Sequence, residues 1–294
     1  MLIIIPTPGI DLPFGIHHPT ASQITILALP SWEMSRYLYA VPQISDRATW
    51  LNFRGSYVQL RIAYRRARVL WRQLKGSEPV LRRKRRVPLE FHGTDYGGWP
   101  IVPNSLDTES VVVDIGLGED ISFSESLMRK YGCSVYGFDP TPKSIEYVRK
   151  RRESRFHLFE VGVAANGGEA TFYLPNNDDH VSGSLFRSTH LGSREIKVPL
   201  VPIDSVPELI GTRKLDLIKI DIEGAEFDLL ESPAFAAAAV GTNQICVEFH
   251  HRWPEFGKAR TDRAVQRLEQ LGFAVAWVSS SNEEVLFVRN GAFE

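Results

Sequence analysis

The 294-residue sequence predicts an α/β fold, a parallel sheet with helices on both faces, preceded by a basic helical extension. Three observations carry this. From Val111 onward, short apolar runs alternate with helical patterns, the signature of βα units. Two of those runs end in carboxylates and turn through glycine: Val111-Val112-Val113-Asp114-Ile115-Gly116-Leu117-Gly118, and Leu215–Ile222 with Asp221, Glu223 and Gly224. The composition, 43% hydrophobic and 23% charged, is that of a globular protein, and no apolar run approaches the roughly 20 residues of a membrane helix.

The elements follow in order. Residues 1–50 open with a short apolar patch and carry prolines at positions 6, 8, 13, 19, 30 and 42, so a poorly ordered or loosely packed segment is expected. Residues 51–95 form a basic helical extension. Tyr57–Leu74 places Leu60, Ala63, Tyr64, Ala67, Leu70, Trp71 and Leu74 on one stripe, expected to pack on the following domain. Arg61, Arg65, Arg68 and Arg72 fall on another face, and Arg82–Arg86 adds a basic block. Arg61–Arg86 therefore also suits nucleic acid or an anionic surface. Residues 1–110 carry a balance of +6 and residues 111–294 one of −7.

Residues 96–294 form the α/β domain. Strand one is expected at 110–115, its helix at 122–131 capped by Ser122 or Ser124, and strand two at 134–139. A helix near 142–153 and strand three over Phe156–Val163 follow. Two short strands, Ala170–Leu174 and Lys197–Val201, flank a polar loop. Strand four is Leu215–Ile222, strand five Gln244–Phe249, and a helix over Thr261–Leu271 precedes a closing pair, Phe273–Ser279 with Val285–Arg289. Cys133 and Cys246 have neither metal-site nor disulfide spacing, so a reducing, cytoplasmic compartment is expected.

The carboxyl edge of such a sheet is where ligands bind. Gly116 and Gly118 allow a tight turn and close approach of a cofactor beside Asp114. Glu119 and Asp120 stand where a dinucleotide site wants a third glycine, and acids at a helix N-terminus repel a pyrophosphate. S-adenosylmethionine, a sulfonium without phosphate, suits those acids better than NAD. Asp139, at the end of strand two, is placed to accept hydrogen bonds from ribose hydroxyls.

The segments VVVDIGLGEDISF, YGFDPTPKSIEYV, LIKIDIEGAEFDLL and ICVEFHHR, with YGGWPIV before them, resemble the FkbM family of methyltransferases over about Gly97–Arg289. The resemblance implies a class I methyltransferase (Rossmann-like) sheet, S-adenosyl-L-methionine as cofactor, and an acceptor hydroxyl on a sugar, polyketide or other small metabolite. Many family members have an Asn- or Gly-rich turn after the first strand, where this chain has Leu-Gly-Glu-Asp.

Methylating an alcohol requires a base near the attacking oxygen. Strand five ends in Glu248-Phe249-His250-His251-Arg252, so Glu248 and His250 share one side. His250 is the expected base, with Asp221 orienting it or the substrate and Glu248 beside it. Asp114, Gly116, Gly118, Glu119, Asp139, Val163 and Asp221 are the expected cofactor contacts. Glu223, Glu226, His251 and the loop serines Ser182 and Ser184 are expected around the acceptor. Asp221, Glu223, Glu226 and Glu248 also offer oxygen ligands for a divalent metal, which is possible and not favoured. The alternatives are an RNA methyltransferase using the basic extension and a non-catalytic cofactor-binding protein. The acidic α/β half weighs against the first, and the joint presence of Asp114, Asp139, Asp221, Glu223 and His250 against the second.

Overall fold

A computed structural model of the protein describes residues 47–151, 153–174, 184–185 and 194–293. The first described element is helix α1 (Arg47–Leu74). Its C-terminal part belongs to the compact unit Ile62–Glu294. That unit contains the hairpin β1 (Glu90–His92) and β2 (Trp99–Ile101), and then the α/β elements. These begin with β3 (Val111–Ile115), α2 (Ser122–Tyr131), β4 (Ser134–Phe138), α3 (Pro142–Arg149) and β5 (Phe156–Phe159). Next come β6 (Gly162–Ala164), β7 (Gly168–Leu174), β8 (Arg194–Pro202) and the short helix α4 (Val206–Leu209). The chain closes with β9 (Leu217–Ile220), α5 (Glu226–Glu231), α6 (Pro233–Ala238), β10 (Gln244–Glu248), α7 (Gly257–Gln270), β11 (Phe273–Val278) and β12 (Glu284–Arg289).

The central sheet has seven strands in the order β11-β12-β10-β9-β3-β4-β5, parallel from β10 to β5, with β12 antiparallel to both neighbours. Its strands are apolar on both faces because both faces are covered. Val113, Ile115, Ile218, Ile220 and Val247 pack with Phe227, Leu230 and Phe249 in one core. Val112, Leu217 and Cys246 pack with Leu127 and Trp99 in the other. After β5 the chain returns to β9 on the far side of β3, so the strand order reverses between β3 and β9. That reversal opens a crevice at their carboxyl ends.

Several expectations need correction. Strand three does not run to Val163: it ends at Phe159, and Gly162–Ala164 pairs with β8 in a separate three-stranded sheet, β6-β8-β7. A side chain at Gly162 would meet the end of the Leu200 side chain at 2.6 Å, so glycine lets β6 sit close against β8 without moving it. Helix α1 starts earlier than Tyr57 and α7 earlier than Thr261, whereas α3 stops at Arg149. Neither serine caps α2. Ile121 is its cap residue, Asp120 accepts the Ser122 N–H, and Ser124 lies inside the helix. The apolar stripe of α1 is not packed away: Leu70, Trp71 and Leu74 are exposed. The basic block is partly absorbed, since the Lys84 and Arg85 N–H groups donate to Val275 O and Lys84 pairs with Glu269 at 2.5 Å.

Candidate active site

The crevice between β3 and β9 is lined by two groups of carboxylates with opposite character. The first group builds the glycine turn. Asp114 and Lys219 are register partners on β3 and β9, and the Lys219 ammonium donates to Asp114 Oδ1 at 3.0 Å and to Gly116 O at 2.9 Å. Ser124 Oγ donates to Asp114 Oδ2 at 2.6 Å. Burial would push the Lys219 ammonium down, but Asp114 and Asp221 outweigh it and hold its pKa above the ordinary lysine value. Gly116 (φ +84°) sits so close to β9 that a Cβ would lie 1.7 Å from Asp221 O, whereas at Gly118 (φ +55°) the space is open.

Asp139 ties the same turn to β4. Its Oδ2 accepts from the N–H groups of Leu117 (2.9 Å) and Gly118 (3.2 Å), and its Oδ1 from the Thr141 N–H (2.8 Å) and hydroxyl (2.6 Å). Asp114 and Asp139 are thus enclosed by protein donors. Both were expected as direct cofactor contacts, and the geometry makes each first a support of the turn. Glu119 is exposed at the turn. Asp120 accepts from the Ser122 N–H and from Thr94 Oγ at 2.6 Å. Burial would raise the Asp120 carboxyl, and hydrogen bonding from the Ser122 side chain, Thr94 and the Ser122 backbone brings it below the usual range.

The second group lies at the ends of β9 and β10. The His250 ring is wedged between carboxylates: Nδ1 is 3.2 Å from Glu226 Oε1, and Nε2 is 3.1 Å from Glu223 Oε2 and 3.9 Å from Asp221 Oδ1. Burial opposes charging His250, yet Glu226 and Glu223 outweigh it and raise its pKa well above the ordinary histidine value. The carboxylates on both sides of the ring favour its protonated form, which weighs against His250 as the expected base. Asp221 keeps 30% exposure, the most open of the His250 partners. Burial, opposed by Lys219 and His250, pushes its carboxyl up to about 6. Burial and the Asp221 carboxylate also raise Glu248, which pairs across strands with Glu284.

Glu223 adopts a left-handed backbone (φ +51°), which is costly for a residue with a Cβ. Gly224 (φ +101°) follows against the Phe256 ring, where a Cβ would meet ring atoms at 2.2 Å, so that position of the turn requires glycine. Glu226, expected at the acceptor, is fully buried instead. It accepts from the Gly224 N–H at 2.7 Å and the His250 N–H at 2.9 Å, so it positions the turn and the imidazole.

Four more expectations on site residues resolve as follows. His251 turns away from the crevice to Glu78, at 3.0 Å from Nε2, and is buried. Ser184 is buried and donates to Glu223 O at 2.6 Å, bracing the strained turn. Val163 is a core residue of the smaller sheet. Ser182 lies outside the described residues.

Sequence reasoning missed three residues. Lys219 could have been suspected, because a lysine inside the buried run Leu217–Ile220 needs an acid in register. Glu78, in the extension, accepts from Arg252 at 2.8 Å and from His251, and their hydrogen bonds outweigh burial to bring its carboxyl down to about 2. Tyr96 stands 90% exposed on the β1–β2 loop. Burial and the Asp221, Glu248 and Glu223 carboxylates raise its hydroxyl, and at that exposure the carboxylates matter more.

The profile of the methyltransferase FkbM domain matches residues 112–275, more than half of the chain. The chain belongs to the methyltransferase FkbM family. Its curated relatives include the human probable methyltransferase-like protein 24, 24% identical over 153 residues, or 52% of this chain and 36% of that protein. The 2-O-methyltransferase NoeI of Sinorhizobium fredii is 26% identical over 137 residues, covering 42% of this FkbM-family chain and 56% of NoeI. The match thus spans about a third to just over half of those relatives' lengths. Among solved structures, the Methanococcus jannaschii fibrillarin pre-rRNA processing protein aligns with 72% of this chain and 87% of its own, at 10% identity and a TM-score of 0.38. The strand order of this FkbM-family chain, with its antiparallel β12 between β11 and β10, is that of a class I methyltransferase sheet.

Proposed function

We propose that this chain is an S-adenosylmethionine-dependent O-methyltransferase acting on a hydroxyl of a small metabolite such as a sugar, glycoside or polyketide. The observation that carries the reading is the Asp221–Glu223–His250 cluster, which stands at the crevice mouth one backbone contact from the glycine turn. The likeness to a 2-O-methyltransferase supports oxygen as the nucleophile.

The turn fits the cofactor. No atom lies within 4 Å of where a Cβ at Gly118 would stand, and Glu119 beside it favours a cation over a phosphate. Bound S-adenosylmethionine supplies a methyl group on a positively charged sulfur. Asp221, ionised above a pH of about 6 and the most open of the His250 partners, receives the acceptor's proton. The His250 imidazolium stabilises Asp221, and Glu226 and Glu223 hold the ring in place. Asp139 and the Asp114–Lys219 pair keep the turn and the base in register.

A second reading is favoured by one observation: single ligand atoms of Asp221, Glu223 and His250 all lie within 4.8 Å of one another. That spacing would admit a divalent cation, with Glu226 orienting the histidine from behind. Both readings are tested by incubating the protein with methyl-labelled S-adenosylmethionine and a panel of methyl glycosides, with and without chelator. The proposal expects label transfer that survives chelation and rises as pH passes about 6. Transfer abolished by chelator and restored by magnesium would assign the cluster to a cation. Transfer to an RNA oligonucleotide and to no glycoside would reject the substrate class.

A further inference from the structure

Within the unit Ile62–Glu294, the stretch Ile62–Lys75 of α1 carries a surface that methyl transfer does not use. At 3.6 residues per turn, Ala63, Tyr64, Ala67, Leu70, Trp71 and Leu74 fall on one arc of about 120°. All six are exposed, Trp71 by 57% and Leu74 by 80%. The half-buried residues Ile62, Val69 and Gln73 lie on a different face, centred about 140° away.

Arg65, Arg68, Arg72 and Lys75 border one edge of the apolar arc and Arg66 the other, and no acid occurs between Ile62 and Ser77. Arg72 lies 3.7 Å from Glu78, but no carboxylate among the described residues pairs with Arg65, Arg66 or Arg68. Cations also sit against the aromatic rings, Lys75 Nζ 3.8 Å from the Trp71 centroid and Arg68 5.8 Å from that of Tyr64.

We propose that this helix lies in the interface of an anionic lipid bilayer, with the Leu70–Trp71–Leu74 stripe among the acyl chains and the flanking cations on the headgroups. A stripe rimmed by cations on both edges, with aromatics on its cation-rich side, is what a bilayer surface accommodates at once: apolar area, snorkelling side chains and negative charge. Nucleic acid would use the cations and leave Trp71, Leu70 and Leu74 in water. A second copy of the helix would bring arginines against arginines with no acid to pair them. The enzyme would then work at a membrane surface, and its acceptor would be presented there.

Sedimentation of the full-length protein with vesicles tests this. One set is phosphatidylcholine alone, the other an equal mixture with phosphatidylglycerol. The wild type should pellet with the anionic vesicles only, and added salt should weaken the binding. A Leu70→Gln, Trp71→Gln, Leu74→Gln variant and an Arg65→Ser, Arg66→Ser, Arg68→Ser variant should each lose at least about tenfold in partitioning. S-adenosylmethionine affinity should stay unchanged in both, since these exposed positions lie outside the crevice. Absence of pelleting with anionic vesicles would overturn the proposal. So would wild-type binding by the apolar variant; an RNA gel shift lost only in the arginine variant would then name nucleic acid as the partner. A dimer seen by light scattering and lost in the apolar variant, without vesicle binding, would name a second copy.

Discussion

Two sets of carboxylates face the same crevice, and they are built in opposite ways. Asp114 and Asp139 are saturated: an ammonium, two hydroxyls and three backbone N–H groups converge on them. Asp221, Glu223 and Glu248 are crowded against one another, with raised carboxyls at Asp221 and Glu248 and a left-handed backbone at Glu223. A carboxylate that only holds a turn can be given all its donors. One that must take up a proton during turnover has to be kept short of them. Under the proposed function, this difference gives architecture to the β3–β4 side and chemistry to the β9–β10 side.

The sharpest way to break that division is Asp221→Asn. Methyl transfer should fall by about 10²- to 10⁴-fold, the range for removing a proton acceptor, with cofactor affinity nearly intact. A steady-state assay against pH checks it: the wild-type acid limb should lie near pH 6, because Asp221 becomes a base only once its raised carboxyl has ionised. On the supporting side, Lys219→Met should cost about 3–5 kcal/mol of unfolding free energy in denaturant, since it strands Asp114 without its partner. Adding Asp114→Leu should recover much of that loss, which separates a structural pair from a catalytic one.

Asp139→Ala should weaken S-adenosylmethionine binding by about 1–3 kcal/mol and lower stability by a similar amount, because the turn loses its tie to β4. Loss of binding with unchanged stability would restore Asp139 to a direct ribose contact. A smaller, pH-dependent effect belongs to Glu78. Its folded carboxyl lies near 2, below the ordinary value of 4.5, so its contribution is present above pH 4.5 and is lost as pH falls towards 2. Glu78→Gln should flatten acid unfolding in that window. The smallest change expected is Gly118→Ala, about 1–2 kcal/mol from the left-handed backbone alone, as no atom stands in the way.

Much of the sheet was legible because its strands are apolar runs closed by glycine turns, and the acids at their ends mark the ligand edge. The division of labour among those acids was not. Asp114 meets Lys219 from 105 positions away, and only register shows it. Glu226 reads like any acid on a first helical turn, yet it is fully buried beneath His250. The run Phe156–Val163 looks like one strand, because the partner of its second half, β8 around Leu200, lies far along the chain. The stripe on α1 has a core helix's spacing, and periodicity cannot say whether anything covers it.

The most direct test of the division is calorimetric titration of S-adenosylmethionine into the wild type and Asp221→Asn in parallel, with NAD as control. The account predicts micromolar binding of the sulfur cofactor to both proteins, within a few-fold of each other, and none of NAD. Failure of the wild type to bind, or loss of binding in Asp221→Asn, would contradict it.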